Sequence, residues 1–280
     1  MRVIDWSETA PESSPSKASA LTIGVFDGIH RGHEELIRRI TAKNAEFIPT
    51  LITFRKNPKE FLRKKEFKGD ILSLNQKLAI FERLSIALVV LIDFSENFSK
   101  LGGKEFLDLV RNRLRPGFVA VGSNFRCGYQ GDTGAVRLKA LYHKAGIPVD
   151  VVVPVLDGAR PVSSSRIRSA IAAGDFSAAA RLLGRNFEFD VSPVVPENRG
   201  GGVFYRTDTL RRVMPGPGNY SALLYGRENA GAVKAGVVVL KDGVLVPRHG
   251  EALCRIEFVE GGLYGPPAPE TGRYPGSQGV

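Results

Sequence analysis

Short, continuous apolar stretches alternate with stretches of helical periodicity between residues 20 and 153. Apolar stretches of this length without polar alternation are typical of strands buried on both faces. Interleaved with helices, they predict a doubly wound parallel sheet of the α/β class, in which ligands bind beyond the carboxyl ends of the strands. The predicted strands are Leu21–Phe26, Ile48–Phe54, Ala87–Asp93, Phe118–Gly122 and Val149–Val153, and the predicted helices between them are His33–Lys43, Asn75–Leu84, Gly103–Arg115 and Ala135–Gly146.

The character of the sequence changes after Arg185. Two predicted helices, Ser163–Ala173 and Phe176–Leu183, precede this point, whereas glycines then punctuate short apolar stretches in a manner typical of an all-β unit. These stretches are Val203–Tyr205, Tyr220–Tyr225, Ala235–Leu240 and Leu253–Val259. We therefore predict an α/β domain over residues 1–187, a small β domain over 188–264 and a flexible tail over 265–280, which has too little apolar material to fold.

The charge of the chain favours an anionic partner. The formal net charge is +10, and residues 1–185 hold 29 basic against 19 acidic residues, whereas residues 186–280 hold 10 of each. Nucleic acid, a membrane surface and small polyphosphates all fit such a domain. No apolar run approaches the roughly 18 residues of a membrane span, so we expect no membrane partner. Cys127 and Cys254 form no disulfide framework or metal-ligand pattern, so we expect reduced thiols and a cytoplasmic location; the oligomeric state is left open.

The strongest chemical signal is the segment Gly24-Val-Phe-Asp-Gly-Ile-His-Arg-Gly-His33, which joins the first predicted strand to the first predicted helix. Glycines let the backbone approach a bulky ligand, and a helix N-terminus is a natural seat for phosphate. His30 and His33 are three residues apart, so both imidazoles can face one phosphate group. An ordinary glycine-rich turn, a metal site and a surface pair are the competing interpretations, although no third ligand lies nearby to complete a zinc site. The combination favours phosphate chemistry.

A second signal is the segment Val162-Ser-Ser-Ser-Arg-Ile-Arg168. Serines before a helix are N-caps, and capping alone is one interpretation of the segment. Capping needs one serine and does not need Arg166 and Arg168, whose charges oppose the helix dipole at this end. Arginines at a helix start therefore indicate a bound anion.

These segments resemble the bacterial bifunctional riboflavin kinase/FAD synthetase family, whose nucleotidyltransferase domain carries the pattern G-x-F-D-G-x-H-x-G-H. Similar segments follow in the family's order at Leu72–Lys77, Leu91–Leu101, Val121–Gly128, Val162–Arg168 and Leu182–Arg185. The resemblance covers residues 20 to 187. It implies an HxGH nucleotidyltransferase domain followed by a small degenerate β-barrel.

The resemblance also implies a reaction, in which ATP and FMN give FAD and pyrophosphate with Mg²⁺ as cofactor. The implied catalytic residues are His30, His33 and Arg168, the last on the β- and γ-phosphates. The implied ATP-binding residues are Gly24, Phe26, Asp27, Gly28, His30, His33, Ser163, Ser164, Ser165 and Arg168. The implied FMN-binding residues are Asn57, Phe61 and Asn124, and the resemblance implies no protein-held metal site.

Two segments depart from the family's pattern. Where the family has T-F-x-P-H-P, this chain has Thr53-Phe-Arg-Lys-Asn-Pro58, so Asn57 replaces a histidine and a positive charge there would move to Arg55 or Lys56. The kinase barrel's G-F-P-T-A-N is also missing, since the corresponding stretch is Arg199–Asp208. We therefore predict a β domain without riboflavin kinase activity.

Seven basic residues follow the second predicted strand, and such a run raises the question of a nucleic-acid partner. They are Arg55, Lys56, Lys59, Arg63, Lys64, Lys65 and Lys68. A solvated loop face, a funnel for anionic substrates and a nucleic-acid contact all fit such a run, but only Phe61 and Phe67 accompany it, so we do not expect nucleic acid as a partner. Two alternative functions stay open: the same chemistry with another acceptor, such as pantetheine phosphate, nicotinamide mononucleotide or a cytidylyl-transfer substrate, and a non-catalytic flavin- or nucleic-acid-binding protein.

Overall fold

The chain folds into two compact units in the computed structural model. The first unit comprises Met1–Phe67 and Ser73–Ser164, and the second comprises Lys68–Leu72 and Ser165–Val280. The predicted domain boundary at residue 187 stays a prediction. The predicted tail over 265–280 lies outside the described residues. The residues that the structure describes are 1–9, 17–199, 201–227, 231–247 and 252–260.

The first unit is built on a six-stranded parallel sheet in the order β1-β4-β3-β2-β5-β8, which confirms the predicted parallel α/β architecture. Two short antiparallel ribbons, β6-β7 and β9-β10, accompany it. The strands are β1 Arg2–Asp5, β2 Ser19–Ile23, β3 Ile48–Phe54, β4 Leu88–Ile92, β5 Pro116–Gly122, β6 Arg126–Cys127, β7 Thr133–Gly134, β8 Val149–Val152, β9 Leu156–Asp157 and β10 Arg160–Pro161. The helices between them are α1 Arg31–Thr41, α2 Pro58–Leu62, α3 Leu74–Arg83, α4 Glu96–Ser99, α5 Gly103–Leu114 and α6 Ala135–His143.

The strand β1 lies outside the predicted strands. It pairs in parallel with β4 from Arg2 opposite Leu88 to Asp5 opposite Leu91, at the edge of the sheet. Its residues are exposed or half-buried, so it lacks the continuous apolar stretch by which the central strands were predicted. By contrast, β2 and β4 are buried at every residue.

The first strand of the motif region ends earlier than predicted, at Ile23 rather than at Phe26. The reason is that Phe26 has a φ of 51°, in the left-handed region that an extended strand does not use. The other predicted helices and strands between residues 20 and 183 are confirmed, with ends that differ by at most three residues.

The order of the strands places two loops side by side. The chain runs from β2 outward through β3 to β4 and then returns to β5 on the other side of β2. The winding therefore reverses between β2 and β5, and the loops that leave the carboxyl ends of these two strands are neighbours. They begin at Gly24 and Ser123, so both belong to the segments that the sequence analysis selected.

The second unit contains α7 Ser164–Ala172 from Ser165 onward, α8 Phe176–Leu183 and a seven-stranded antiparallel sheet in the order β11-β17-β14-β15-β16-β13-β12. The sheet confirms the predicted β unit, while its description as a degenerate barrel stays a prediction. Phe176 of α8 stacks on Phe258 with ring centroids 4.7 Å apart, which joins helix and sheet in one core. The strands are β11 Phe187–Asp190, β12 Glu197–Arg199, β13 Gly202–Arg206, β14 Gly218–Gly226, β15 Ala232–Val239, β16 Gly243–Pro247 and β17 Leu253–Phe258. Among the residues described, no helix has the length and apolar character needed to cross a membrane.

Candidate active site

Residues 24–33 connect β2 to the first turn of α1, and we call them the histidine loop. His30 is the N-cap of α1, with extended backbone, and only 7% of its surface is exposed. The imidazole rings of His30 and His33 stack with centroids 3.8 Å apart and planes inclined by 15°. A Cβ atom at Gly32 would lie 3.2 Å from Cε1 of His30, so the absence of a side chain at Gly32 leaves room for the His30 ring. The spacing of three residues therefore does bring both imidazoles to one face of the helix start.

The backbone of the histidine loop is strained at two residues that are not glycine. Phe26 and Ile29 have φ values of 51° and 38°, and Gly28 between them has a φ of 88°. A left-handed conformation at a bulky residue costs on the order of 1 kcal/mol or more and persists only where the surroundings enforce it. Here burial enforces it, because both side chains are 0% exposed and the Phe26 ring packs edge-on against Phe81 at 5.8 Å. A contact between Phe26 and ATP would therefore have to come from its backbone.

Side chains from outside the histidine loop donate hydrogen bonds to its carbonyl oxygens. Thr53 Oγ1 and Lys77 Nζ donate to the carbonyl oxygen of Val25 at 3.1 and 3.3 Å. Ser164 Oγ donates to the carbonyl oxygen of Asp27 at 2.8 Å. These bonds hold the carbonyl groups of the two residues that flank the strained residue Phe26.

Lys77 is a residue to which the sequence analysis assigned no role. It is 7% exposed, and its ammonium also donates to the carbonyl oxygen of Phe54 at 3.5 Å, so it bridges the carboxyl ends of β2 and β3. It lies on the buried face of α3 with Ile80 and Phe81. This helical spacing is the signal by which the lysine could have been selected from the sequence.

The electrostatics of the histidine loop suit an anion. The first turn of α1 begins at Arg31, where the amide groups and the helix dipole contribute partial positive charge. The buried side chain of Lys77 adds a hydrogen-bond donor within the same unit. Two stacked imidazoles can donate or accept hydrogen bonds beside them. This arrangement can bind a phosphate group and neutralise charge that develops on it.

The second predicted segment places its residues differently. Arg168 is buried in α7 with 9% exposure, and its Nε donates to the carbonyl oxygen of Gly69 at 2.8 Å. Ser163 and Ser164 are half-buried and belong to the first unit, whereas Ser165 is exposed and belongs to the second, as does Arg168.

Asn57 and Phe61, two of the three predicted FMN-binding residues, lie at the N-cap of α2 and within α2. Asn57 is 6% exposed and caps the helix, since its Oδ1 accepts a hydrogen bond from the backbone of Lys59 at 3.1 Å. Capping therefore accounts for an asparagine at this position. Phe61 is 53% exposed, and its ring packs edge-on against Phe94 at 5.8 Å, which in turn contacts Phe54. The result is an aromatic surface beyond the carboxyl ends of β3 and β4.

The two basic candidates beside Asn57 differ in their surroundings. Arg55 forms ion pairs with Asp5 and Asp93, the latter with an Nε to Oδ1 distance of 3.3 Å. Lys56 is exposed. Because two carboxylates already neutralise Arg55, Lys56 is the better candidate for the positive charge that a histidine would have carried.

Asn124 is exposed in the turn that follows β5. A Cβ atom at Gly122 would lie 2.9 Å from Oδ1 of Asn124, so a side chain at position 122 would displace the amide of Asn124. Nearby, burial raises the pKa of the Cys127 thiol to about 12, with a smaller contribution from Asp132. Cys127 is therefore protonated near neutral pH and does not act as a nucleophile.

A family model and two curated relatives match the part of the chain that contains the histidine loop. The family model described as FAD synthetase matches residues 12–166, which is more than half of the chain. The chain is 30% identical over 172 residues to the bifunctional riboflavin kinase/FMN adenylyltransferase of Buchnera aphidicola from Acyrthosiphon pisum, covering 60% of this chain and 55% of the relative. It is 26% identical over 219 residues to the protein of the same name from Escherichia coli K12, covering 76% of this chain and 70% of the relative. The match thus spans little more than half the length of the first relative.

A solved structure resembles the fold along nearly the whole chain. It is the crystal structure titled as a macrolide-efflux protein from Streptococcus pneumoniae, with a TM-score of 0.79 and 23% sequence identity, covering 96% of this chain and 93% of that one. At this identity the likeness concerns the fold alone.

Proposed function

Because the chain belongs to the FAD synthetase family, we propose that it is an FMN adenylyltransferase, which converts ATP and FMN to FAD and pyrophosphate. The observation that carries the proposal is the pair of stacked imidazoles of His30 and His33 at the start of α1, beside the point where the winding of the parallel sheet reverses. Nucleotides bind at such points in open α/β sheets.

The proposed reaction needs no covalent intermediate with the enzyme. The phosphate of FMN attacks the α-phosphorus of ATP in line, and pyrophosphate leaves on the opposite side. His30 and His33 donate hydrogen bonds to the α-phosphate and the leaving group, while Arg168 holds the β- and γ-phosphates. The protein would then accelerate the reaction by positioning FMN and ATP and by neutralising the charge of the phosphates. The strained but buried backbone of the histidine loop supports this role, because it holds the imidazoles in place before ATP arrives.

Mg²⁺ is the cofactor that fits this reaction. When bound, it neutralises charge on the triphosphate, and it keeps several waters and needs few protein ligands. Asp27, the single carboxylate of the histidine loop, stays a proposed ATP-binding residue, and the phosphates rather than a protein-held site would carry the ion.

The proposal that FMN is the acceptor rests on the aromatic surface formed by Phe61 and Phe94. An isoalloxazine ring is flat and largely apolar, so it can stack on such rings. Asn57 and Asn124 would supply hydrogen bonds to FMN. The remaining ATP-binding residues proposed are Gly24, Phe26, Gly28, Ser163, Ser164 and Ser165.

The proposal excludes riboflavin phosphorylation. This exclusion rests on the stretch Arg199–Asp208, which lacks the Pro-Thr-Ala-Asn of the family's kinase pattern. FMN must then come from another enzyme or from import. We further propose that the protein acts in the cytoplasm, where ATP and FMN are available, on small nucleotides and flavins rather than on nucleic acid.

The test is to incubate the purified protein with Mg-ATP and either FMN or riboflavin, and to separate the flavins by chromatography. We expect FAD and pyrophosphate from FMN and no FMN from riboflavin. His33→Ala should lower turnover by about 100-fold or more while the KM for ATP changes only a few-fold, because the lost hydrogen bond acts on charge that develops in the transition state. His143→Ala, in an exposed turn of α6, is the matched control and should retain activity.

Each part of the proposal has its own contrary outcome. FMN formation from riboflavin would overturn the loss of kinase activity. Transfer of AMP to another phosphate acceptor in preference to FMN would replace the acceptor but keep the chemistry. Salt-dependent oligonucleotide binding without any pyrophosphate release would overturn the enzymatic function. Unchanged turnover in His33→Ala would remove the role assigned to that imidazole.

A further inference from the structure

A backbone segment of the second unit holds the side chain of Arg168. The Nε–H of Arg168 donates to the carbonyl oxygen of Gly69, and the arginine is 9% exposed. Gly69 belongs to Lys68–Leu72, a segment that packs with the second unit although the chain on both sides of it belongs to the first. The position of the guanidinium therefore depends on what holds Gly69.

Residues 211–213 hold the segment around Gly69. The amide of Asp70 donates to the carbonyl oxygen of Arg211 at 3.0 Å, and the amide of Val213 donates to the carbonyl oxygen of Asp70 at 3.0 Å. The bonds form an isolated parallel bridge between Asp70 and Arg212. This short bridge connects two stretches that are more than 130 residues apart in the sequence.

Only glycine fits at position 69. Its φ is 90°, a conformation that other residues rarely adopt. A Cβ atom there would also lie 2.4 Å from the carbonyl carbon of Arg212 and 2.6 Å from the amide nitrogen of Val213. Backbone atoms cannot move aside as a flexible side chain can, so the bridge and a side chain at position 69 exclude each other.

The same stretch of the second unit also holds the far end of α7. The amide of Gly216 donates to the carbonyl oxygen of Ala172 at 3.0 Å, and Tyr220 Oη donates to the carbonyl oxygen of Gly216 at 2.8 Å. A Cβ atom at Gly174, just after the helix, would lie 2.8 Å from the Tyr220 ring. Residues 211–220 thus hold both the segment to which Arg168 donates and the last residue of α7, and we call them the clamp.

We propose that the clamp positions Arg168 for the triphosphate. The inference rests on the proposed function, because it assigns the guanidinium to ATP. An unrestrained arginine loses substantial side-chain entropy when it binds phosphate. A bond from Nε to Gly69 fixes the plane of the guanidinium before binding, which lowers that cost. Gly69 and the clamp are positioning elements, since they act through Arg168.

The first experiment compares Gly69→Ala with Gly201→Ala in the full chain. Gly201 also belongs to the second unit and has a φ of 78°, but a Cβ atom there would meet nothing within 4 Å. Both variants therefore carry the strain of a left-handed alanine, and only the first breaks the bridge. We expect Gly69→Ala to lower kcat/KM for ATP by about tenfold or more with the KM for FMN within about twofold of wild type. Gly201→Ala should match wild type in both.

A double-mutant cycle with Arg168→Lys separates positioning from a general structural defect. If Gly69 acts through the guanidinium, Gly69→Ala should add little further loss to the Arg168→Lys variant. An equal fold-loss in both backgrounds would overturn the proposal. Should Gly69→Ala fail to fold, Tyr220→Phe removes one bond of the clamp without a backbone clash, and the same cycle applies to it. We expect this milder variant to lose about two- to threefold in kcat/KM for ATP, a loss that disappears in the Arg168→Lys background.

Hydrogen exchange gives a readout that does not depend on activity. The amides of α7 after Arg168 should exchange faster in Gly69→Ala than in Gly201→Ala, because the bond from Arg168 to Gly69 no longer anchors that part of the helix. Equal exchange in the two variants, together with equal kcat/KM, would overturn the clamp while leaving the proposed function intact. A wild-type protein that forms no FAD would overturn the proposed function instead, and the exchange data would still show whether the clamp holds α7.

Discussion

The histidine loop and Arg168 are both held through backbone carbonyl groups, but in opposite senses. In the histidine loop, the side chains of Thr53, Lys77 and Ser164 donate to carbonyl oxygens of the loop itself. At Arg168, the functional side chain is the donor, and the accepting peptide of Gly69 lies beside a backbone bridge. One region is thus held by several side chains, and the other by the fit of a single glycine.

This difference predicts different responses to substitution. Support from several side chains can be removed in steps, because the carbonyl oxygen of Val25 accepts bonds from both Thr53 and Lys77. Support that depends on glycine fails at once, because any side chain at position 69 collides with backbone atoms. Substitutions around the histidine loop should therefore have graded effects, and those at Gly69 a single large one.

The largest graded effect is expected from Lys77→Met. The change keeps the apolar stem but removes the ammonium that joins Val25 and Phe54, a charged donor worth about 1.5–3 kcal/mol for each well-formed bond. We expect kcat/KM for ATP to fall about tenfold, with a smaller loss of stability in thermal unfolding, because the methionine still packs on the buried face of α3.

Lys104→Met is the matched control for the lost charge, since this lysine is exposed on α5 and pairs with Asp108. It should behave like wild type in both measurements. Full activity in Lys77→Met would contradict the prediction, because it would show that the histidine loop does not depend on the bond from Lys77 to Val25.

A smaller effect is expected from Thr53→Val, which removes the second donor to Val25. Thr50→Val is a close control, because both threonines are 0% exposed on β3, and the hydroxyl of Thr50 bonds to the carbonyl oxygen of Ile48 within the strand. Each variant should lose about 0.5–1.5 kcal/mol of unfolding free energy. Only Thr53→Val should also lower kcat/KM for ATP, by about two- to threefold. Equal activity in the two variants would show that loop support does not pass through this hydroxyl.

The smallest effect concerns Glu35, two residues beyond the histidine loop on α1. Hydrogen bonds from Arg38 lower the pKa of Glu35 from 4.5 to about 2, with Arg39 contributing less, although burial opposes the shift. A lowered pKa stabilises the fold above pH 4.5, and that stabilisation is lost as the pH falls towards 2. Because the contact is solvent-screened, Glu35→Gln should cost about 0.5 kcal/mol at neutral pH and nothing near pH 2, with activity unchanged. Denaturant unfolding of both proteins between neutral pH and pH 2 measures this difference in stability. A clear loss of activity in Glu35→Gln would show instead that contacts on the surface of α1 also support the histidine loop.

Much of the fold could be predicted because local patterns carry it. The continuous apolar stretches at β2, β3 and β4 indicated parallel strands, and the glycines and histidines of residues 24–33 indicated the connection to α1. The edge strand β1 was missed because its four residues are stabilised by pairing with β4, more than 80 positions away. Arg55 was considered as a phosphate ligand, but its ion pair with Asp5 depends on the same distant strand.

The residue types and their spacing in the chain settle the class of fold, the placement of His30 and His33 on one face of the helix start and the family to which the chain belongs. Tertiary structure alone decides what holds those groups. Lys77 meets Val25 across 52 positions, and Arg168 meets Gly69 across 99. No local pattern encodes such contacts, because they form only when folding brings distant segments together and leaves a buried donor that must find an acceptor.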